Sequence, residues 1–163
     1  MLQNKIDSSV QRTEREKEFH NQRFSEPSTW AKKVSRFYQI INTIKQQYEQ
    51  LLLQKCQGEI VVEYGCGTGS YAYKVADHKA KMVIEINISE VAISIAQSQF
   101  SDVSNLNFQV MNAEKLEFTN NSIDLICGSG ILHHLHIEKA MHSIAKVLQL
   151  QGRAIFIEPL GHN

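Results

Sequence analysis

The amino-acid sequence predicts an α/β domain built on a parallel sheet with helices on both faces. Three observations carry this expectation. First, the β-branched run Ile60-Val61-Val62 leads into the glycine-rich stretch Gly65-Cys66-Gly67-Thr68-Gly69, and a helix-compatible segment begins near Ser70. Second, apolar runs of strand length alternate with helical segments over the remainder of the chain, as in parallel sheets with crossover helices. Third, polar or glycine residues follow the apolar runs: Glu63, Asn87, Asn112, Gly128-Ser129-Gly130 and Glu158. In open parallel sheets, ligands bind beyond those strand ends.

The totals are compatible with one domain. A chain of 163 residues can bury a real core but is short for two domains of usual size. Hydrophobic residues make up 42%, charged residues 21%, and the formal net charge is zero, which gives no bulk attraction to nucleic acid. The three cysteines, Cys56, Cys66 and Cys127, are dispersed, which suggests reduced thiols and a cytoplasmic protein. The N-terminus is polar and no long apolar run occurs, so neither a signal peptide nor a membrane span is expected.

Taken in order, residues 1–27 form a polar, helical extension and residues 28–163 the α/β domain. Met1 to Ser9 should fray. Val10 to Arg23 alternates charges around Phe19 and Phe24, which reads as a solvated surface helix; the other reading is a lid over a pocket. Glu26-Pro27-Ser28 breaks the chain, and Ser28 or Thr29 is placed to cap a helix that starts at Trp30. Val34, Phe37, Tyr38, Ile41, Ile44, Tyr48, Leu51 and Leu52 recur at helical spacing and should pack on a sheet face. After the glycine loop, strands are expected at Lys81–Ile86, Leu106–Val110, Ser122–Cys127 and Ala154–Ile157. Ser89 should cap one intervening helix. Ile137–Leu150 should form another, with Ala140, Met141, Ile144, Val147 and Leu148 on its buried side.

The order of motifs resembles that of the class I S-adenosylmethionine-dependent methyltransferases, over about residues 30 to 160. Glu63-Tyr64-Gly65-Cys66-Gly67-Thr68-Gly69 is similar to the family's glycine motif, Ile86-Asn87-Ile88-Ser89 to its second-strand motif, and Asn112-Ala113-Glu114-Lys115-Leu116 to its third-strand segment. Asp124 to Leu135 resembles the fourth-strand motif and loop, and Leu150-Gln151-Gly152-Arg153 the turn into the fifth strand. The resemblance implies a Rossmann-like three-layer α/β/α sandwich with strand order 3-2-1-4-5. It also implies methyl transfer from S-adenosylmethionine to a small or medium acceptor. By that resemblance Glu63, Tyr64, Gly65, Cys66, Gly67 and Gly69 hold the methionine end of the cofactor, and Gly128 borders it. Glu85 or Asn87 meets the ribose, Asn112 and Ala113 meet the adenine, and Ser129, His133 and His134 face the acceptor, the two histidines being candidates for catalysis.

Departures from the family pattern set the alternatives. Asn87 stands where the family has an acid, which implies a weaker grip on the ribose. The chain ends at Asn163, so the family's usual last two strands are expected to be missing and the fifth strand to be an exposed edge through which copies associate. A non-catalytic S-adenosylmethionine-binding module is therefore the alternative. A nicotinamide-dependent oxidoreductase is disfavoured because Ser70 occupies the third glycine position of the dinucleotide fingerprint. His133, His134 and His136 lack the accompanying ligands that a metal site needs.

Overall fold

The computed structural model describes residues 2–25, 42–65 and 70–159. In chain order the elements are α1 (Leu2–Ser25), α2 (Asn42–Lys55), β1 (Ile60–Tyr64), α3 (Ser70–Asp77), β2 (Met82–Asn87) and α4 (Glu90–Gln99). They are followed by β3 (Leu106–Val110), β4 (Ile123–Ser129), a short 3-10 turn (Leu132–His134), α5 (Ile137–Val147) and β5 (Leu148–Ile157). The strands form one five-stranded sheet in the order β3-β2-β1-β4-β5, parallel throughout. This is the order that the motif sequence implies.

Strand alternation sorts the core into two layers. Val61, Val83, Leu125 and Phe108 face one side and pack with Tyr48 and Leu52 of α2, Ala72 and Val75 of α3, and Ile93 and Ala96 of α4. Val62, Tyr64, Ile86 and Ile126 face the other and pack with Ile144 and Val147 of α5 and with Leu116. Helices on both faces leave the central strands almost inaccessible to water, so they read as near-continuous apolar runs. Ser89 caps α4, its side chain accepting from the Ala92 N–H at 3.1 Å.

Several expectations need correction. Helix α1 runs unbroken from Leu2 instead of fraying before Val10, since the stretch has good helix formers and no glycine or proline. Helix α5 ends at Val147 instead of Leu150, because the next residue already pairs with β4: Leu148 lies opposite Ile123. The register then slips, so that Leu125 faces Arg153, and the intervening residues bulge with Leu150 fully exposed. Gly152 is needed there, since a Cβ would come within 2.9 Å of Leu148 Cδ2 and 3.0 Å of the Gln149 carbonyl. Met141 is exposed, because one helical step carries it off the Ala140–Ile144–Val147 stripe. On α2, Tyr48 and Leu52 are buried, whereas Ile44 and Leu51 are exposed. The expected cap and helix at positions 28–41 lie outside the described residues.

A buried hydrogen bond ties the segment between β3 and β4 to α5. The Leu116 N–H donates to Ser143 Oγ at 2.7 Å, away from water. Ser143→Ala should strand that N–H and lower stability by about 1–2 kcal/mol in urea unfolding. An unchanged midpoint would show that the amide finds another acceptor.

Candidate active site at the carboxyl edge of the sheet

The pocket lies where the strand order reverses. Gly65 after β1, Ile86 and Asn87 at the end of β2, Met111, Asn112 and Ala113 after β3, and Ile131, His134 and Leu135 after β4 line it. The crossovers bring these residues, far apart in sequence, to one edge. Cys66, Gly67 and Gly69, expected in the site, lie outside the described residues.

The two asparagines are held by the same local device. Asn87 Oδ1 accepts from the Ser89 N–H at 2.9 Å, and Asn112 Oδ1 accepts from the Glu114 N–H at 2.9 Å. Each is an Asx turn, in which the side-chain oxygen satisfies the backbone two residues on. What each amide keeps for other partners is the donor end, its two N–H groups. Next to them Ile86, Ile88, Met111, Ile131 and Leu135 supply apolar wall.

Glu85 does not line this pocket. It is fully buried inside the sheet layer, as is Glu63, its register partner on β1. Tyr64 points to the α5 side, where its ring meets Phe156 edge-on at 5.7 Å. Gly65 has φ +57°, a left-handed conformation, and an added Cβ would sit 2.8 Å from Ile131 Cδ1. Gly128 is closed by the same residue: a Cβ there would meet Ile131 Cγ2 at 2.8 Å and Phe156 Cε1 at 2.9 Å. Both glycines therefore make room for Ile131, which in turn walls the pocket.

Two glutamates peg the loop after β4. Glu158 accepts from the Ile131 and Leu132 N–H groups at 2.8 and 2.9 Å, and its other oxygen meets His133 Nδ1 at 2.8 Å. Burial pushes the Glu158 carboxyl upward, but His133 and the two amides outweigh it and hold it below the usual range. Glu114 takes the far end, accepting from the His136 N–H at 2.7 Å and pairing with Arg12. Burial again opposes ionisation there, and the His136 amide and Arg12 overcome it. Of the two candidate histidines, His133 is exposed and tied to Glu158, whereas His134 is half-buried and faces the pocket.

The remaining wall comes from α1. Arg12, Thr13, Glu16 and His20 line the pocket, so this helix is not simply a solvated surface helix. A sequence signal existed: Arg12, Glu16 and His20 recur every fourth residue and so share one helix face. Glu16 Oε2 lies 3.6 Å from His134 Nδ1 and 3.8 Å from His20 Nε2. Among the described residues, no three His, Cys, Asp or Glu groups are placed to hold a metal ion.

Both histidines titrate below their ordinary value. For His20 the causes are burial, then the neighbouring His134 and Arg23, against Glu16; for His134 they are burial, then His133, against Glu16 and Glu158. A histidine whose pKa is depressed by packing stabilises the packed state above its free value, about 6.5, and loses that stabilisation as pH falls toward the depressed value. Proton NMR should therefore show both rings titrating below 6.5, with α1 loosening as the pH drops from 7 to 5. Titration at or above 6.5 would contradict this reading.

Comparison with known proteins agrees with the geometry. A family model described as a methyltransferase domain matches residues 62–156. The ubiquinone/menaquinone biosynthesis C-methyltransferase of Zymomonas mobilis is 28% identical over 109 residues, covering 66% of this chain and 45% of that protein. The malonyl-[acyl-carrier protein] O-methyltransferase 2 of Coxiella burnetii is 30% identical over 118 residues, covering 71% of this chain and 47% of that protein. The chain thus spans about half the length of the curated relatives it matches. Among solved structures, the YcgJ protein of Bacillus subtilis matches with a TM-score of 0.63 at 26% identity, covering 68% of this chain and 50% of that one. Phosphoethanolamine N-methyltransferase 1 of Haemonchus contortus, solved with S-adenosylhomocysteine, shares the fold at a TM-score of 0.69 and 18% identity, covering 88% of this chain and 32% of that one. The family model spans more than half of the sequence, and the sheet order and pocket position agree with it: the chain belongs to the class I S-adenosylmethionine-dependent methyltransferase family.

Proposed function

We propose that this chain transfers a methyl group from S-adenosylmethionine to a small-molecule acceptor. The observation that carries the reading is the pair of Asx-turn asparagines, Asn87 and Asn112, at the ends of adjacent strands on one apolar-walled pocket. Their spare N–H donors suit the oxygens of a ribose and the ring nitrogens of an adenine, and Ile86, Ile88 and Met111 suit the flat face of the base. The residues present therefore fit the cofactor. When bound, the cofactor supplies a methyl group already activated by its sulfonium, so the chain's task is alignment. In this reading Asn87 meets the ribose and Asn112 with Ala113 meets the adenine. Gly65 lies against the cofactor with Cys66, Gly67 and Gly69, while Glu63, Tyr64, Glu85 and Gly128 support the site from inside the fold. His134 faces the acceptor. Its depressed pKa keeps the ring neutral near pH 7 and able to accept a proton from an O–H or N–H nucleophile.

The cofactor reading is tested at Asn87. Asn87→Asp preserves an oxygen for the Ser89 turn and adds a second, charged acceptor for the ribose hydroxyls. Calorimetry with S-adenosylhomocysteine should show binding tighter by about 1 kcal/mol. Glu85→Gln should leave the affinity unchanged. Affinity that responds to Glu85→Gln and not to Asn87→Asp would move the ribose to the buried carboxylate. Binding without release of S-adenosylhomocysteine from S-adenosylmethionine across a broad acceptor panel would favour the non-catalytic module.

The β5 edge belongs to the same proposal. Among the described residues it pairs with β4 alone, and Ile155, Phe156 and Ile157 stay partly exposed. The 163-residue chain should self-associate through this edge. Light scattering across a concentration series should show growth in mass that Ile155→Lys reduces; a mass independent of concentration would rule this out.

A further inference from the structure

A second concavity lies between α5 and residues 114–116, which follow β3. It is an open groove of about 390 Å³, within the roughly 300–1,000 Å³ of small-ligand sites. Lys139, His142 and Lys146 recur every three or four residues and so share one face of α5, where they form one wall. Lys115 belongs to the other wall. Glu114 borders both this groove and the strand-end pocket, so the two cavities are neighbours.

A buried donor lies among these cations. Ser143 lines the groove at 8% exposure; its hydroxyl accepts the Leu116 N–H and keeps a proton of its own to donate. The nearby carboxylates do not cancel the lysines. Glu114 is matched by Arg12 and the His136 amide, and Glu117 by Lys115 at 3.3 Å. Glu138 then stands against both Lys139 and Lys146, so the groove carries an excess of positive charge although the chain as a whole is neutral. Ammonium groups on flexible stems supply charge and several donors, and the hydroxyl supplies a fixed one, which together suit an anion.

We propose that this groove binds a small polyanion, a molecule carrying two or more phosphate or carboxylate groups, at a site beside the methyl-transfer pocket. Lys139 and Lys146 are seven residues apart on α5, which places them about 10 Å apart along its axis. A single phosphate is too small to meet both lysines at full extension of the row, whereas linked anionic groups reach both, with the Ser143 hydroxyl between them. The site does not depend on the cofactor reading, since none of Lys139, His142, Ser143 and Lys146 lines the strand-end pocket.

The test is calorimetry on the full chain with tripolyphosphate, citrate and inorganic phosphate. Tripolyphosphate or citrate should bind more tightly than phosphate; the tighter of the two tells phosphoryl from carboxylate ligands. The double variant Lys139→Gln/Lys146→Gln should weaken that binding by about tenfold, the scale of two lost charge contacts near water. Lys55→Gln/Lys81→Gln removes the same charge outside the groove and should leave the affinity unchanged. In the wild-type chain, proton NMR should show the His142 ring signals moving on addition of tripolyphosphate and those of His78, outside the groove, standing still. That readout holds even where a variant fails to fold. No binding of any of the three anions, phosphate binding as tightly as the polyanions, equal weakening in both double variants, or a His142 ring that does not respond would each overturn the site.

Discussion

Parallel pairing of strands buried on both faces is the constraint on which everything else depends. Every strand of the sheet must be reached by a crossover, so all five carboxyl ends open on the same edge. With α2, α3 and α4 on one face and α5 on the other, apolar side chains fill both layers. Polar chemistry is thereby concentrated at the strand ends, where β1 and β4 part and leave a crevice. The two carboxylates inside the sheet, Glu63 and Glu85, stand side by side because β1 and β2 run in that register. Neither is among the described residues that line the pocket.

At the edge itself, carboxylates and amides act on backbone. Asn87 and Asn112 turn the chain as it leaves β2 and β3, and Ser89 starts α4 from the same turn. Glu158 and Glu114 take the amides at either end of the loop after β4, so residues 131 to 136 are pinned at both ends. A carboxylate that accepts backbone N–H groups is stabilised as an anion, which is why both glutamates stay ionised despite partial burial. Loops that carry a site are thus held by charge-assisted bonds and by Ile131 packed against Gly65 and Gly128.

Helix α1 follows a different logic. Its described contacts include charged and polar pairs and the edge-on His20–His134 ring contact, whereas the sheet's attachment to α2–α5 is apolar and broad. Helix α1 thereby adds a polar wall to the apolar scaffold at the edge where the strand ends open.

What the sequence by itself determined was the scaffold. Alternating apolar runs and amphipathic helices dictate a parallel sheet, and the order of Glu63-to-Gly69, Asn87-Ile88-Ser89 and Asn112-Ala113 identifies its ligand edge. These are local patterns, legible because burial and turn chemistry act over a few residues. Tertiary structure alone decided the rest. The end of α5 was set by Leu148 pairing with Ile123, since the apolar spacing there suits helix and strand alike. Of Asn87 and Glu85, both on β2, only Asn87 lines the pocket, because it sits at the strand's open end while Glu85 lies two residues inside. Arg12, Glu16 and His20 reach residues some hundred positions away, such as Glu114 and His134, and no period in the sequence encodes a contact over that separation.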